Sequence, residues 1–298
     1  MGVIMYFISK CNNNLTYSID MIRLRTDLTV GDFSKFKLKM MAIYKDYLIK
    51  EWGSTAISDF RYNFTVEIEE GKSFWFGFFH NSDKRHQSEK GRYNLTLEFN
   101  PNKLKNCNLI FDIIHLSNFW TLKQFDIAID VPYSILDICG INKKRFKDVR
   151  VFSAGYDDKT IYLGRSNNRV KIYNKKRESN IDMLGELTRI EITHACNYNF
   201  SKYNTIFKPD IKLPELYLSK FLITREPGDD DISYNSISDG NKTLLALLFA
   251  VQNGYCLHDL SRQYRNKVEC LLKGDCLISF DFNCIYSVLN ETLIFYLG

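Results

Sequence analysis

The sequence of 298 residues lacks an apolar run long enough to cross a membrane. Its longest apolar stretch with helical spacing, Leu244 to Val251, falls far short of the roughly 20 residues that a spanning helix needs. The first residues also lack the apolar core and the small-residue cleavage site of a secretory signal peptide. These absences argue against a helical membrane protein, and we expect a cytosolic one.

Metal-binding patterns built on cysteine and histidine are missing as well. The eight cysteines include no C-x-x-C pair, and the five histidines form no H-x-H or H-E-x-x-H motif. We therefore expect no zinc site, and free thiols are the default state of cysteines in a cytosolic protein. Any bound metal would be held by oxygen ligands, which favour Mg²⁺ or Mn²⁺.

Positive charge, in contrast, is concentrated in one stretch of the chain. Residues 142–177 contain twelve Lys or Arg against three Asp, although the net charge of the whole chain is only +5. A localised basic surface is typical of a protein that binds nucleic acid, while a solvated charged face is the alternative. The residues that we expect to contact DNA are Lys143, Lys144, Arg145, Lys147, Arg165, Arg169, Lys176 and Arg177.

Hydrophobic alternation and turn residues predict an α+β fold with a mostly antiparallel central sheet, packed helices and a C-terminal helical appendage. Two hairpins are expected, at 60–79 and at 159–174, with further strands at 17–25, 92–99, 122–131 and 187–194. Helices are expected near 30–48, 104–116, 134–146, 242–252 and 257–273, followed by an apolar tail. The pattern changes after residue 204, which predicts one domain at 1–205 and a mostly helical region at 206–298.

Acidic side chains share faces of several predicted strands. The period of two places Asp126 and Asp130 on one side of an otherwise apolar strand. Glu98 ends a second strand, and Arg189 and Glu191 share one face of a third. Because acids are poor strand residues, this grouping indicates ligands of a divalent cation or an acid and base pair; ion pairing to a neighbouring Arg is the alternative.

A tyrosine lies between two cations on another predicted strand, where Lys171, Tyr173 and Lys175 share a face. A phenol with a pKa near about 10 is a weak nucleophile, so adjacent positive charge and a metal are what an attacking tyrosine needs. A tyrosine packed at a strand edge is the alternative, and the spacing alone does not decide between the two.

Several phrases of the sequence occur together, in this order, in one protein family. They are LEFNPNKL at 97–104, FDIAID at 125–130, IYLGRS at 161–166, IYNKKRE at 172–178 and RIEI at 189–192, with a late segment at 257–262. Taken together they resemble the replication initiation factor family of rolling-circle plasmids, particularly its staphylococcal-type initiators. The similarity runs from about residue 90 to 273 and is strongest at 93–193, while 208–240 matches poorly.

The resemblance implies a metal-dependent, site-specific DNA nicking and closing enzyme. In such a protein Tyr173 is the nucleophile, which leaves a 5′-phosphotyrosine and a 3′-OH primer, and Lys171, Lys175 and Arg189 would stabilise the charge that develops. The residues implied as ligands of Mg²⁺ or Mn²⁺ are Asp126, Asp130, Glu191 and Glu98. One departure is Gln124, where these relatives usually carry Arg.

The resemblance also implies partners. They are plasmid origin DNA, both double-stranded and extruded as a single-stranded nick site, a host helicase, and a second copy of the chain in a homodimer. The 1–205 domain would then nick DNA, and the 206–298 region would recognise the origin or dimerise. Two alternatives stay open: a relaxase-like nicking protein of a conjugative element, and a non-catalytic DNA-binding regulator with the same fold.

Overall fold

The computed structural model describes most of the chain. The described residues are 10–12, 15–46, 48–52, 60–80, 92–139, 146, 148–153, 159–165, 168–179, 186–200, 206–218, 242–252, 259–272 and 277–298. Within them the chain forms a large antiparallel sheet and several helices. The predicted α+β class with a mostly antiparallel sheet is confirmed.

Among the described residues, eleven strands make up the main sheet, in the order β3-β4-β5-β6-β2-β7-β12-β11-β10-β9, with β1 paired to β2. A separate two-stranded sheet joins β8 to β13. The strands are β1 (Lys10–Asn12), β2 (Leu15–Thr29), β3 (Leu48–Trp52), β4 (Phe60–Glu69), β5 (Lys72–His80), β6 (Arg92–Phe99), β7 (Thr121–Val131), β8 (Ile138–Cys139), β9 (Val149–Ser153), β10 (Lys159–Arg165), β11 (Asn168–Asn174), β12 (Thr188–Asn199) and β13 (Tyr217–Leu218).

The described helices are α1 (Val30–Asp46), α2 (Pro101–Leu104), α3 (Asn108–Ile114), α4 (Lys175–Ser179), α5 (Lys242–Gln252), α6 (Arg262–Leu272) and α7 (Phe282–Leu297). The helix expected at 134–146 is wrong over its first half, where a short 3₁₀ turn, Ile135–Asp137, leads into β8. The apolar tail expected from the sequence forms a helix, α7, over residues 282–297 behind an Asp281 N-cap. None of the helices in the described ranges is long and apolar enough to span a membrane.

One face of the sheet carries the hydrophobic core. Phe36 of α1 lies edge-on to Phe76 of β5 at 5.6 Å, and Tyr296 of α7 lies edge-on to Phe99 of β6 at 4.8 Å. The phenol of Tyr17 in β2 accepts a hydrogen bond of 2.9 Å from the Asp281 backbone N–H at the start of α7. Since apolar side chains of β2, β6 and β7 alternate onto this face, their polar neighbours lie on the opposite one.

The C-terminal third contributes to two cores. Ile211, Leu213 and Leu216 belong to the same buried cluster as the sheet and α7. A smaller cluster of Leu244, Val251, Leu260 and Val268 joins α5 to α6. The predicted division at residue 205 stays a prediction.

Candidate functional site

Three neighbouring strands bring the predicted site residues together on the polar face of the sheet. Strand β12 lies between β7 and β11, and the antiparallel register pairs Arg189 with Asp130 on one side and with Tyr173 on the other. The next row pairs Glu191 with Lys171. Because paired residues of antiparallel strands point to the same face, Tyr173, Glu191 and the carboxylates of β7 share one surface.

Arg189 is the centre of a three-strand ion cluster. Its Nε and Nη2 atoms donate hydrogen bonds of 2.6 and 2.7 Å to the two carboxylate oxygens of Asp130. Its Nη1 atom donates a bond of 2.7 Å to Oδ2 of Asp20 in β2. Burial alone would lower the pKa of Arg189, but the hydrogen bonds and the charges of Asp130 and Asp20 raise it above its usual value. Arg189 is therefore a permanent cation whose charge is already matched by two acids.

Asp20 did not emerge from the sequence as a site residue. The β2–β7 register shifts between Ile19 and Met21, so Asp20 is the extra residue of a bulge and falls outside the simple alternation. An acidic residue within an apolar strand is the same feature that identified Asp126, and it could have identified Asp20. The bulge that turns Asp20 toward Arg189, however, cannot be recognised in the sequence.

Tyr173 is almost completely buried, with 5% of its surface exposed. Its hydroxyl donates a hydrogen bond of 3.3 Å to Oε2 of Glu191. The ammonium of Lys171 lies 3.9 Å from the centre of the Tyr173 ring, and that of Lys175 lies 5.8 Å from it. The phenol thus has a carboxylate at its proton and two cations at its ring.

Asp126 lies in an environment that disfavours its charge. Burial, followed by the negative charge of Glu191, raises the pKa of Asp126 to about 7, although hydrogen bonds from Thr193 and Gln124 act against the rise. The amide of Gln124 donates to Asp126 at 3.4 Å. Asp126 and Glu191 are therefore close enough for each to feel the other's charge, which is the situation that a bound cation would relieve.

Glu98 is held by a cation from β2, a strand that carries none of the site residues predicted from the sequence. Nε of Arg23 in β2 donates to Oε2 of Glu98 at 2.7 Å, and Nη1 donates to Oε1 of Gln124 at 3.2 Å. A chain of contacts thus runs from Glu98 through Arg23 and Gln124 to Asp126. Gln124 stands at the position where the family that the sequence resembles usually has Arg. In this chain Arg23 supplies a guanidinium beside it.

The four predicted metal ligands do not form one cluster. Asp130 is engaged by Arg189 and Glu98 by Arg23, while the negative charge of Glu191 and, to a smaller extent, that of Glu98 act on Asp126. Within the described ranges, no group of three or more Asp, Glu, His or Cys is arranged to hold a metal ion.

The predicted DNA-contacting residues are distributed unevenly. Arg165 forms an exposed ion pair of 2.7 Å with Asp148, and Arg169 lies over the ring of Tyr162 at 5.5 Å. Lys176 and Arg177 lie in α4, directly after the strand that carries Tyr173. The remaining four, Lys143, Lys144, Arg145 and Lys147, lie outside the described residues.

Comparison with known proteins supports the resemblance seen in the sequence. Two curated relatives from Staphylococcus aureus, each named replication initiation protein, are 32% identical to the chain over 120 and 111 residues. The alignments cover 37% and 34% of this chain and 38% and 35% of the relatives, so the chain matches little more than a third of their length. No family model matches the chain.

Among solved structures, the rolling circle replication initiator protein from Geobacillus stearothermophilus aligns with a TM-score of 0.37 and 12% identity. The alignment covers 63% of this chain and 76% of that one. The resemblance to replication initiation proteins is thus confirmed by the two sequence relatives, over about a third of the chain.

Proposed function

We propose that the chain is a rolling-circle replication initiator that nicks and rejoins one DNA strand through Tyr173. The observation that carries the proposal is the hydrogen bond from the Tyr173 hydroxyl to Glu191, beside the ammonium of Lys171. A nucleophile in reach of a base and next to positive charge is the arrangement that activates a weak hydroxyl. The names of the two curated relatives support the same class of protein.

The nicking step can be written from the residues at the site. The Tyr173 oxygen attacks the scissile phosphorus and its proton passes to the Glu191 carboxylate, 3.3 Å away. The new bond joins the phenol oxygen to phosphorus, and the bond from phosphorus to the 3′ oxygen breaks. The leaving oxygen takes a proton from solvent and becomes a free 3′-OH. The reverse reaction, attack of a 3′-OH on the phosphotyrosine, rejoins the ends.

Lys171 and Lys175 supply positive charge around the phenol. Their ammonium groups lie 3.9 and 5.8 Å from the centre of the Tyr173 ring. Since the tyrosine loses a proton as it attacks, nearby cations stabilise the phenolate and the negative phosphate in the transition state more than the neutral ground state.

A divalent metal fits the pair Asp126 and Glu191. Mg²⁺ commonly binds to one or two carboxylates, keeps several waters and takes the rest of its ligands from substrate phosphates. Burial and the charge of Glu191 raise the pKa of Asp126 to about 7, so a bound cation would stabilise the charged form of Asp126. When bound, Mg²⁺ or Mn²⁺ would polarise the phosphate. Asp130 and Glu98, the other two ligands expected from the sequence, would have to leave Arg189 and Arg23.

Arg189 is better suited to positioning than to contact with a phosphate. Its three donating nitrogens all point to carboxylates of neighbouring strands. We assign it the role of fixing β12, and therefore Glu191, relative to β7. The other expectations, origin DNA as substrate, a host helicase and a homodimer, belong to the same proposal and follow from the resemblance.

Covalent trapping tests the proposed function. The protein is incubated with Mg²⁺ or Mn²⁺ and labelled single-stranded oligonucleotides from its own replicon, and a protein–DNA adduct that survives denaturation is measured. Tyr173→Phe should abolish the adduct. The matched control, Tyr62→Phe, removes a hydroxyl from an exposed tyrosine of β4, six strands away from β11 in the sheet, and should retain the adduct. An adduct on the Tyr173→Phe protein would disprove the assignment of the nucleophile.

A further inference from the structure

The outer edge of the sheet presents an exposed aromatic ring. Strand β9 is the last strand in the order, and Phe152 on it is 56% exposed. Its ring lies edge-on to Tyr162 of β10, with centroids 5.6 Å apart. An exposed phenylalanine on a strand that already has an aromatic neighbour forms a small ring surface rather than a scattered apolar side chain.

Two guanidinium groups accompany these rings. Arg150 of β9 and Arg169 of β11 lie over the Tyr162 ring, at 6.0 and 5.5 Å from its centre. The Nε of Arg169 is buried and has no hydrogen-bond partner in the structure. Tyr162 therefore aligns two planar cations on its two neighbouring strands.

The register connects this surface to Tyr173. Phe152 pairs with Thr160, and Thr160 pairs with Tyr173, so the three side chains form one row across β9, β10 and β11. Arg150, Tyr162 and Lys171 form the next row. With strands about 4.8 Å apart, Phe152 lies roughly 10 Å from Tyr173 on the same face.

The charge on these strands has one sign. On the face of Phe152, strands β9, β10 and β11 carry three cations, Arg150, Arg169 and Lys171, and no Asp or Glu. A basic surface that includes an exposed ring suits a polyanion whose bases are accessible. A duplex hides its base faces by stacking, whereas an unpaired strand can place a base on a ring or on an arginine plane.

We propose that Arg150, Phe152, Tyr162 and Arg169, together called the outer-strand platform, bind unpaired nucleotides of single-stranded DNA next to Tyr173. Phe152 is the stacking surface, Tyr162 orients the two guanidinium groups, and these contact the backbone or stack on a base. The proposal rests on the proposed function for the identity of its ligand. Beyond that function, the proposal states where the single-stranded DNA lies relative to Tyr173.

Binding can be measured without cleavage. The Tyr173→Phe protein in EDTA is titrated into a fluorescein-labelled oligothymidylate of about 15 nucleotides, and affinity is read from anisotropy. Phe152→Ala should weaken binding about 5-fold or more, since stacking on one ring contributes that much, and Phe152→Trp should retain it. The matched control is Val151→Ala, which truncates the neighbouring side chain, also exposed but on the opposite face of β9. A duplex of the same length should bind with no dependence on Phe152.

Different results would overturn different claims. Equal affinity for Phe152→Ala and Val151→Ala disproves the platform, even where Tyr173 still forms its adduct. An equal loss of duplex and single-strand affinity also disproves it, since stacking then has no role. A weaker affinity that accompanies loss of a dimer, seen by light scattering, assigns Phe152 to a protein interface instead. If Phe152→Ala weakens single-strand binding but no adduct ever forms on Tyr173, the platform stands and the nicking function fails.

Discussion

The guanidinium of Arg189 holds both carboxylate oxygens of Asp130, with hydrogen bonds of 2.6 and 2.7 Å. The arrangement is bidentate and mostly withdrawn from solvent, since the two side chains are 13% and 16% exposed. Asp20 completes the cluster from β2. This buried cation joins three adjacent strands through two acids. Its removal would leave two unpaired negative charges close together in a site with little access to water.

Arg189→Ala should therefore destabilise the fold by about 3 kcal/mol or more, the usual cost of leaving buried charges unpaired. Chemical denaturation monitored by circular dichroism measures this change. Arg165→Ala is the control, because Arg165 pairs with Asp148 on the surface with 79% of its side chain exposed. It should change stability by less than about 1 kcal/mol. An Arg189→Ala protein that is as stable as the parent but unable to nick DNA would show that Arg189 acts on the phosphate directly.

Two glycines with left-handed backbone should respond differently to alanine. Gly164 has φ of +79°, and an added Cβ would lie 2.4 Å from the carbonyl oxygen of Asn168. Gly71 has φ of +70°, but an added Cβ meets no atom within 4 Å. Gly71→Ala should therefore lower the free energy of unfolding by only about 1 kcal/mol, the cost of placing alanine in a left-handed conformation. Gly164→Ala should lower it by at least about 3 kcal/mol, because β10 and β11 must also move apart to make room for the Cβ. Similar melting temperatures for the two variants would contradict this ranking.

The sequence predicted what depends on local pattern. The alternation in β7 identified the shared face of Asp126 and Asp130, and alternation with turn residues identified the hairpin at 60–79, because both follow from the two-residue period and from turn chemistry. The helix α7 was missed, since its Ile, Val, Thr and aromatic residues have modest helix propensity and its stability comes from packing on the sheet.

The alternation of residues within each strand could not predict which strands pair or in which register. The neighbours of Arg189 depend on which strands pair and on a bulge at Asp20, and neither is encoded within a short window. The sequence allows both metal binding and an ion pair with an arginine for Asp130, but the alternation within β7 does not identify the arginine. The link from Glu98 through Arg23 to Gln124 likewise depends on the registers of β2 with β6 and with β7.

Glu191→Gln should slow adduct formation about 100-fold or more, the usual contribution of a positioned general base. Glutamine keeps an oxygen that can accept the Tyr173 hydrogen bond, so the geometry is preserved while the base is lost. Single-turnover trapping measures the rate, and Glu69→Gln, in an exposed turn pair with Lys72, serves as the control. The rate of adduct formation by the Glu191→Gln protein should still rise with pH at values where the rate of the parent no longer changes. Full recovery at high Mn²⁺ would instead show that Glu191 acts only as a metal ligand.

The metal-free protein should become less stable as pH rises from about 4 to about 7, on account of Asp126. Burial and the charge of Glu191 raise the pKa of this carboxyl to about 7 from an ordinary value of 3.8. Between these values the folded state keeps a proton that the unfolded state has released, so its contribution is fully present below pH 4 and lost as pH passes 7. The loss is at most about 4 kcal/mol.

Asp126→Asn is the matched variant for this titration, because an amide of the same shape has no proton to lose. Melting temperatures in EDTA across the pH range should therefore converge near pH 4 and separate by pH 8, where the variant should be more stable than the parent. Mn²⁺ should raise the melting temperature of the parent at pH 8 and have a smaller effect on the variant. Parallel pH profiles for the two proteins would show that folding does not raise the pKa of Asp126.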